Sequence, residues 1–378
     1  MKKQLLPASV QVRVFLLLTA LVCSMMLSSC STDPPVSPAG DTPASGQGSV
    51  SSSASVSASE ESDASGTPPA APKNNSAEAL TADSIRKEAE RISDTYHVQI
   101  LYGDLVPLSY KDYTVSTLSD PEKILDALGV LDRTLSIYPP GFFSSVKEGF
   151  CDSINICLAQ NLRVISMRPN LETAGAFTTV QDDAVWLVLN ADEALQPGSL
   201  IHELTHVTDY RLLGMHQLEE SEWNRLNPSG FSYFNAYLDE DGNDLRLTGS
   251  REYTALFEEL PDRIWFWDPY GKTFAMEDRA RLMEILLENA VPGSAENVSD
   301  DSTAFDSRSR NSAAGISTSA TPAVKDARNR FLSSPHVRTK YRFYFYTLRQ
   351  AFERAGWPQE TVWESELKSA VNAENNTP

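Results

Sequence analysis

Apolar positions recur along this chain at three spacings, and each predicts a different element. From Val14 to Leu27 they are almost continuous. Leu125, Leu128, Leu131 and Leu135 follow at helical spacing behind Ser119-Asp120-Pro121, where Pro at the first turn suits a helix start. That helix is expected to stop by Pro139-Pro140-Gly141. Ser84 to Ser93 reads as a charged amphipathic helix and His97 to Tyr102 as a short strand. Ile154 to Ile165 and Ala184 to Leu189 are rich in β-branched and aromatic residues and predict two further strands. Pro197-Gly198-Ser199 opens another helix, with Ser199 as the expected N-cap. Leu332 to Phe352 carries Tyr and Phe at helical spacing, as a core-packing segment does.

The first apolar run is too short for a comfortable membrane span and follows Lys2, Lys3 and Arg13, so residues 1–29 are expected to be a signal peptide. Leu27-Ser28-Ser29-Cys30 resembles a bacterial lipobox, which implies lipid on Cys30 and an anchored protein on the extracytoplasmic face of the cell membrane. Residues 30–83 are dominated by Ser, Ala, Pro and Gly and cannot bury enough apolar surface to offset the entropy of ordering; they are expected to form a disordered tether. A second low-complexity stretch, 292–324, reads as an insertion, and 370–378 as a disordered tail. Residues 84–369 are long enough for one large α+β domain, with a small mixed sheet and a mostly helical C-terminal part.

The formal charge is −19; loss of residues 1–29 removes three cations and no acid, leaving −22. Such a chain is a poor partner for nucleic acid and for anionic lipid, so the lipid itself would do the anchoring. Of the four cysteines, Cys151 and Cys157 remain in the folded part, either as a small-loop disulfide or as two independent thiols.

The helix opened by Pro197 carries His202-Glu203-Leu204-Thr205-His206. Two His four residues apart lie about 6 Å apart along the axis on one face, so both imidazoles can hold one Zn²⁺. Glu203 stands beside the first His, where a carboxylate can take a proton from water. Asp209 shares the face of His202 and His206 and is expected to accept the free N–H of a ligand His. Ile201, Leu204, Thr208 and Leu212 lie on the other side. His97, His216 and His336 read as structural or exposed.

A catalytic zinc needs three protein ligands and an open position. Val207 to Leu212 supply neither a Gly nor a third His, so a downstream acid is required. Glu252 and Glu277 both lie on helical patterns, and periodicity does not separate them.

The five-residue motif followed by Asp209-Tyr210 resembles the active helix of thermolysin-type enzymes, with the Asp one residue early. Residues from about Ser84 to Glu288 are similar to zinc-binding lipoproteins of Gram-positive bacteria, in which the motif precedes a Tyr-Ser-x-Thr-like segment and then Glu-Asp-x-Ala. This chain reads Tyr270-Gly-Lys-Thr-Phe-Ala-Met-Glu277-Asp278-Arg279-Ala280. The resemblance implies a zincin-like domain of gluzincin type with His202, His206 and Glu277 as zinc ligands. It also implies that Tyr270, spaced from Glu277 as in lethal-factor-type peptidases, assists at the oxyanion, unless it packs under Trp265-Phe266-Trp267. Asp278 is expected to hold a ligand His or to cap its helix. Zincins place an edge strand over the cleft, and Ala184 to Leu189 is either that strand or a core strand.

The function so implied is zinc-dependent hydrolysis of peptide bonds, with a peptide or protein substrate and a monomeric chain. The alternatives are a non-catalytic surface lipoprotein on the same fold and a solute-binding protein. No specificity element marks a preferred side chain.

Overall fold

The computed structural model describes residues 75–165, 174–236, 263–293 and 322–375. The expected signal peptide, Cys30, most of the tether, Glu252 and most of the 292–324 insertion lie outside them.

The first described element is helix α1, Asn75–Tyr96. It begins nine residues before the expected Ser84, because Ser76-Ala-Glu-Ala-Leu80 has good intrinsic helix propensity despite its low-complexity composition. His97 turns the chain at φ +57°, and β1 (Gln99–Tyr102) follows. Next come β2 (Tyr113–Thr117) and α2 (Pro121–Leu135). The side chain of Asp120 caps α2 by accepting from the amides of Glu122 and Lys123, with Pro121 at the first position. A short α3 (Phe142–Lys147) leads into β3, Ser153–Val164.

β3 is the axis of a five-stranded mixed sheet. Its first half pairs in parallel with β1, its second half antiparallel with β2, and its other edge in parallel with β5 (Ala184–Asn190). β4, Ala176–Gln181, pairs antiparallel with β5 and forms the outer edge. Thus the strand Ala184 to Leu189 is interior, and the edge belongs to a strand the sequence reading did not name. A hairpin joins β4 to β5 through Asp182 and Asp183, both at positive φ (54° and 59°), as a tight two-residue turn requires.

The sheet is covered on both faces, which explains the unbroken apolar run in β3. Ile154, Ile156 and Leu158 enter the main core; Cys157 and Ala159 enter a smaller cluster with Val106, Tyr110, Phe177 and Val188. Cys151 packs against the main core, so the two thiols are free and face different clusters. Burial pushes Cys151 up to about 11 and Cys157 to about 12, which makes both poor nucleophiles.

Helix α4, Pro197–Gly214, lies against the sheet and carries the His202–His206 motif. Its N-cap is Gln196 and Pro197 is its first residue, so Ser199 sits inside the first turn instead of capping it. The short α5 (Glu220–Asn224) follows. A 3₁₀ turn, Tyr270–Lys272, precedes α6 (Ala275–Leu287), the helix packed most extensively on α4. The C-terminal layer is α7 (Pro322–Ser333), α8 (Pro335–Ala351) and α9 (Val362–Asn375). Ala370 is buried, so α9 anchors much of the expected tail. Among the described residues no helix is long and apolar enough to cross a membrane.

Candidate metal centre

Helix α4 is buried on nearly every side, yet the buried positions include His202, Glu203, Thr205, His206, Thr208 and Asp209. Polar side chains withdrawn from water need partners, so where they point is informative. Leu200, Ile201, Leu204, Val207 and Leu212 hold the helix in the core. The helix therefore has little freedom to move its polar face.

His202 and His206 point at the same place. Their Nε2 atoms are 3.1 Å apart, with the rings nearly perpendicular. Glu277, on the first turn of α6, brings Oε2 to 3.1 Å from His202 Nε2 and 3.3 Å from His206 Nε2. Among the described residues these three form the group able to hold a metal ion.

The donors suit zinc. Four ligands at about 2.0–2.1 Å in a tetrahedron stand about 3.3 Å from one another, close to the separations observed. The second nitrogen of His202, Nδ1, lies 3.1 Å from Glu284 Oε2, so it carries a proton and leaves Nε2 to a second proton or a cation. The buried Nδ1 of His206 has no hydrogen-bond partner. Withdrawing that nitrogen from water costs about 1–3 kcal/mol, which a ligand bond at the opposite nitrogen would offset.

Charge reinforces the picture. Burial alone would push the His202 imidazole down, but Glu277 and Glu284 outweigh it and hold the ring at about 10. Burial also opposes ionisation of the two carboxylates, yet the imidazoles hold Glu277 well below the ordinary range, and Arg281 with His202 holds Glu284 at about 2. In cation-free protein His202 is thus charged. Its raised value stabilises the fold fully below the unfolded value of 6.5, and that contribution is lost as pH rises through about 10. EDTA-treated protein should therefore lose melting temperature between pH 6.5 and 10, and a His202→Gln variant should lose less. Equal losses in both would contradict the assignment.

Glu203 lies on the side of α4 that meets the edge strand. Thr178, on β4, donates its hydroxyl to Glu203 Oε2 at 2.6 Å. Tyr270 is half-buried beside the cluster, its ring stacked on that of His202 at 5.9 Å between centroids and 14° between planes.

Two expected roles are corrected. Asp209 accepts from Arg279 Nε and from the Tyr344 hydroxyl, each at 2.7 Å, and not from a histidine. Its position three residues after His206 turns it toward α6 and α8. Asp278 neither meets a histidine nor caps α6, whose N-cap is Phe274. Its Oδ2 accepts from Trp223 Nε1 (3.1 Å), the Tyr233 hydroxyl (2.6 Å) and Lys340 Nζ (2.7 Å). The carboxylate that does engage a candidate ligand is Glu284. The sequence signal for it is its place seven residues after Glu277, two turns along the same face. Nothing in the local sequence singles out Thr178, which reaches Glu203 only through the pairing of β4 with β5. His336 stacks on Trp265 at 3.7 Å, and His97 and His216 lie in turns at positive φ.

No protein-family model and no curated protein matches the chain. Its fold can be superposed on a crystal structure from Bacteroides caccae ATCC 43185, assigned provisionally as a zinc-binding metallo-peptidase. That match has a TM-score of 0.39 and 9% identity, covering 78% of this chain and 95% of the other.

Proposed function

We propose that this protein is a zinc-dependent metallopeptidase of gluzincin type, anchored outside the cell by lipid on Cys30. The observation that supports it best is the buried convergence of His202 Nε2, His206 Nε2 and Glu277 Oε2, with Glu203 one residue from the first ligand. His202, His206 and Glu277 would hold the ion. A zinc ion bound there would supply Lewis acidity toward a substrate carbonyl and toward a water molecule. Glu203, steadied by Thr178 on the edge strand, takes the proton of the attacking water on a carboxylate oxygen and passes it to the leaving amine. The Tyr270 hydroxyl donates a hydrogen bond to the oxyanion.

Elemental analysis after exhaustive desalting tests the ligand set, and hydrolysis of a peptide library tests the activity. About one zinc per chain with peptide cleavage is expected. Zinc without cleavage would favour a non-catalytic surface lipoprotein, and folded protein without zinc would remove the metal centre. Tyr270→Phe should lower kcat about a hundredfold with zinc content and KM unchanged. An unchanged kcat would assign Tyr270 to packing alone.

A further inference from the structure

The side chains behind the metal centre form one continuous path to Tyr270. His202 Nδ1 lies 3.1 Å from Glu284 Oε2. The same carboxylate oxygen accepts from Arg281 Nη1 at 2.6 Å. Arg281 turns its other edge to Asp268, with Nε at 3.0 Å and Nη2 at 2.6 Å from Oδ2. Asp268 Oδ1 then accepts the backbone amide of Gly271 at 2.9 Å, inside the turn that begins with Tyr270. His202, Asp268, Arg281 and Glu284 are all more than nine-tenths buried.

The geometry points to a positioning relay: Glu284, Arg281 and Asp268 fix the His202 ring with Nε2 free for a divalent cation, and lock the Tyr270 turn beside it. Two physical facts favour this arrangement over incidental ion pairs. A charge-assisted hydrogen bond to the remote nitrogen of a ligand histidine sets its tautomer and raises its basicity. A guanidinium is a rigid fork, so Asp268 and Glu284 are held at a fixed separation by one side chain, which an ammonium cannot do. A ring correctly placed for a cation is therefore linked, through three side chains, to a correctly placed Tyr270 turn. The packing is close at the other end too: a Cβ at Gly198, in the first turn of α4, would meet Glu284 Cγ at 3.4 Å and Glu288 Cδ at 3.3 Å. A side chain at Gly198 would have to push the Glu284 and Glu288 side chains aside by a few tenths of an ångström.

The relay rests on the zinc reading of His202 but not on peptide hydrolysis, and zinc alone is the probe. Zinc affinity is measured on the full chain by chelator competition, and backbone amide exchange is followed across residues 268–274 with and without zinc. Glu284→Gln should weaken zinc about tenfold or more. In wild type, zinc should slow exchange in the 268–274 segment. Arg281→Lys should still bind zinc at saturation but lose that slowing. If Glu284→Gln does not fold, Arg281→Lys carries the test alone. Wild-type zinc affinity in Glu284→Gln, or undiminished slowing in Arg281→Lys, overturns the relay while leaving the metal centre in place. Wild type that holds no zinc overturns both. Zinc bound and both variants impaired, with no peptide cleaved, supports the relay and removes only the peptidase.

Discussion

Glu203→Gln should lower kcat by about 10²–10⁴-fold while the protein stays folded and keeps its zinc. The substitution replaces a carboxylate by an amide of nearly the same shape. The Thr178 hydroxyl that meets Glu203 Oε2 can still bond to the amide, so the junction between α4 and the edge strand is preserved. The converging atoms that could hold the ion belong to His202, His206 and Glu277, and none belongs to Glu203. What disappears is a group able to accept a proton, since an amide oxygen is far too weak a base near neutral pH. The expected signature is one zinc per chain and a KM close to wild type, with turnover lost. Activity within a few-fold of wild type would show that another group handles the proton, and the mechanism would fall.

How far the sequence reached depends on whether a feature is local or long-range. The motif helix, the Asp120 cap and the β3 and β5 strands are set by spacing within a dozen residues. Burial of α4 on nearly every side leaves its apolar pattern weak, so there the chemistry of His202, Glu203 and His206 is the stronger signal. The edge strand was missed because Ala176-Phe-Thr-Thr-Val-Gln181 has no charged alternation and its turn is Asp-Asp instead of Asn-Gly. Glu277 could be set above Glu252 only by resemblance; the structure then places Glu277 against both histidines, while Glu252 lies outside the described residues. The partners of Asp209 and Asp278 come from α6, α8 and the Trp223–Tyr233 region, in most cases more than 45 positions away, and no local pattern encodes them. A helical face says which residues point together; it does not say which distant side chain arrives to meet them.

The largest stability effect is expected from Lys340, which lies on α8 and far along the chain from the motif. Its ammonium is almost wholly buried and donates to Asp278 Oδ2 at 2.7 Å and to the Trp265 carbonyl at 2.9 Å. It also sits 3.9 Å from the centre of the Phe266 ring. Burial pulls its pKa down, while the Asp278 carboxylate opposes that and favours the charged form. Lys340→Met keeps most of the aliphatic stem but leaves Asp278 with two neutral donors, Trp223 and Tyr233, and no cation. Breaking a buried pair from one side costs about 3–5 kcal/mol, which in a domain of this size lowers Tm by roughly 6–20 °C. Adding Asp278→Leu should recover most of the loss, because removing both charges eliminates the uncompensated one. Zinc content should be unchanged in either protein, since Asp278 touches no histidine. A Lys340→Met variant that melts like wild type would mean that water reaches Asp278. One that melts normally but sheds zinc would return Asp278 to the metal centre, against the geometry that places it with Lys340.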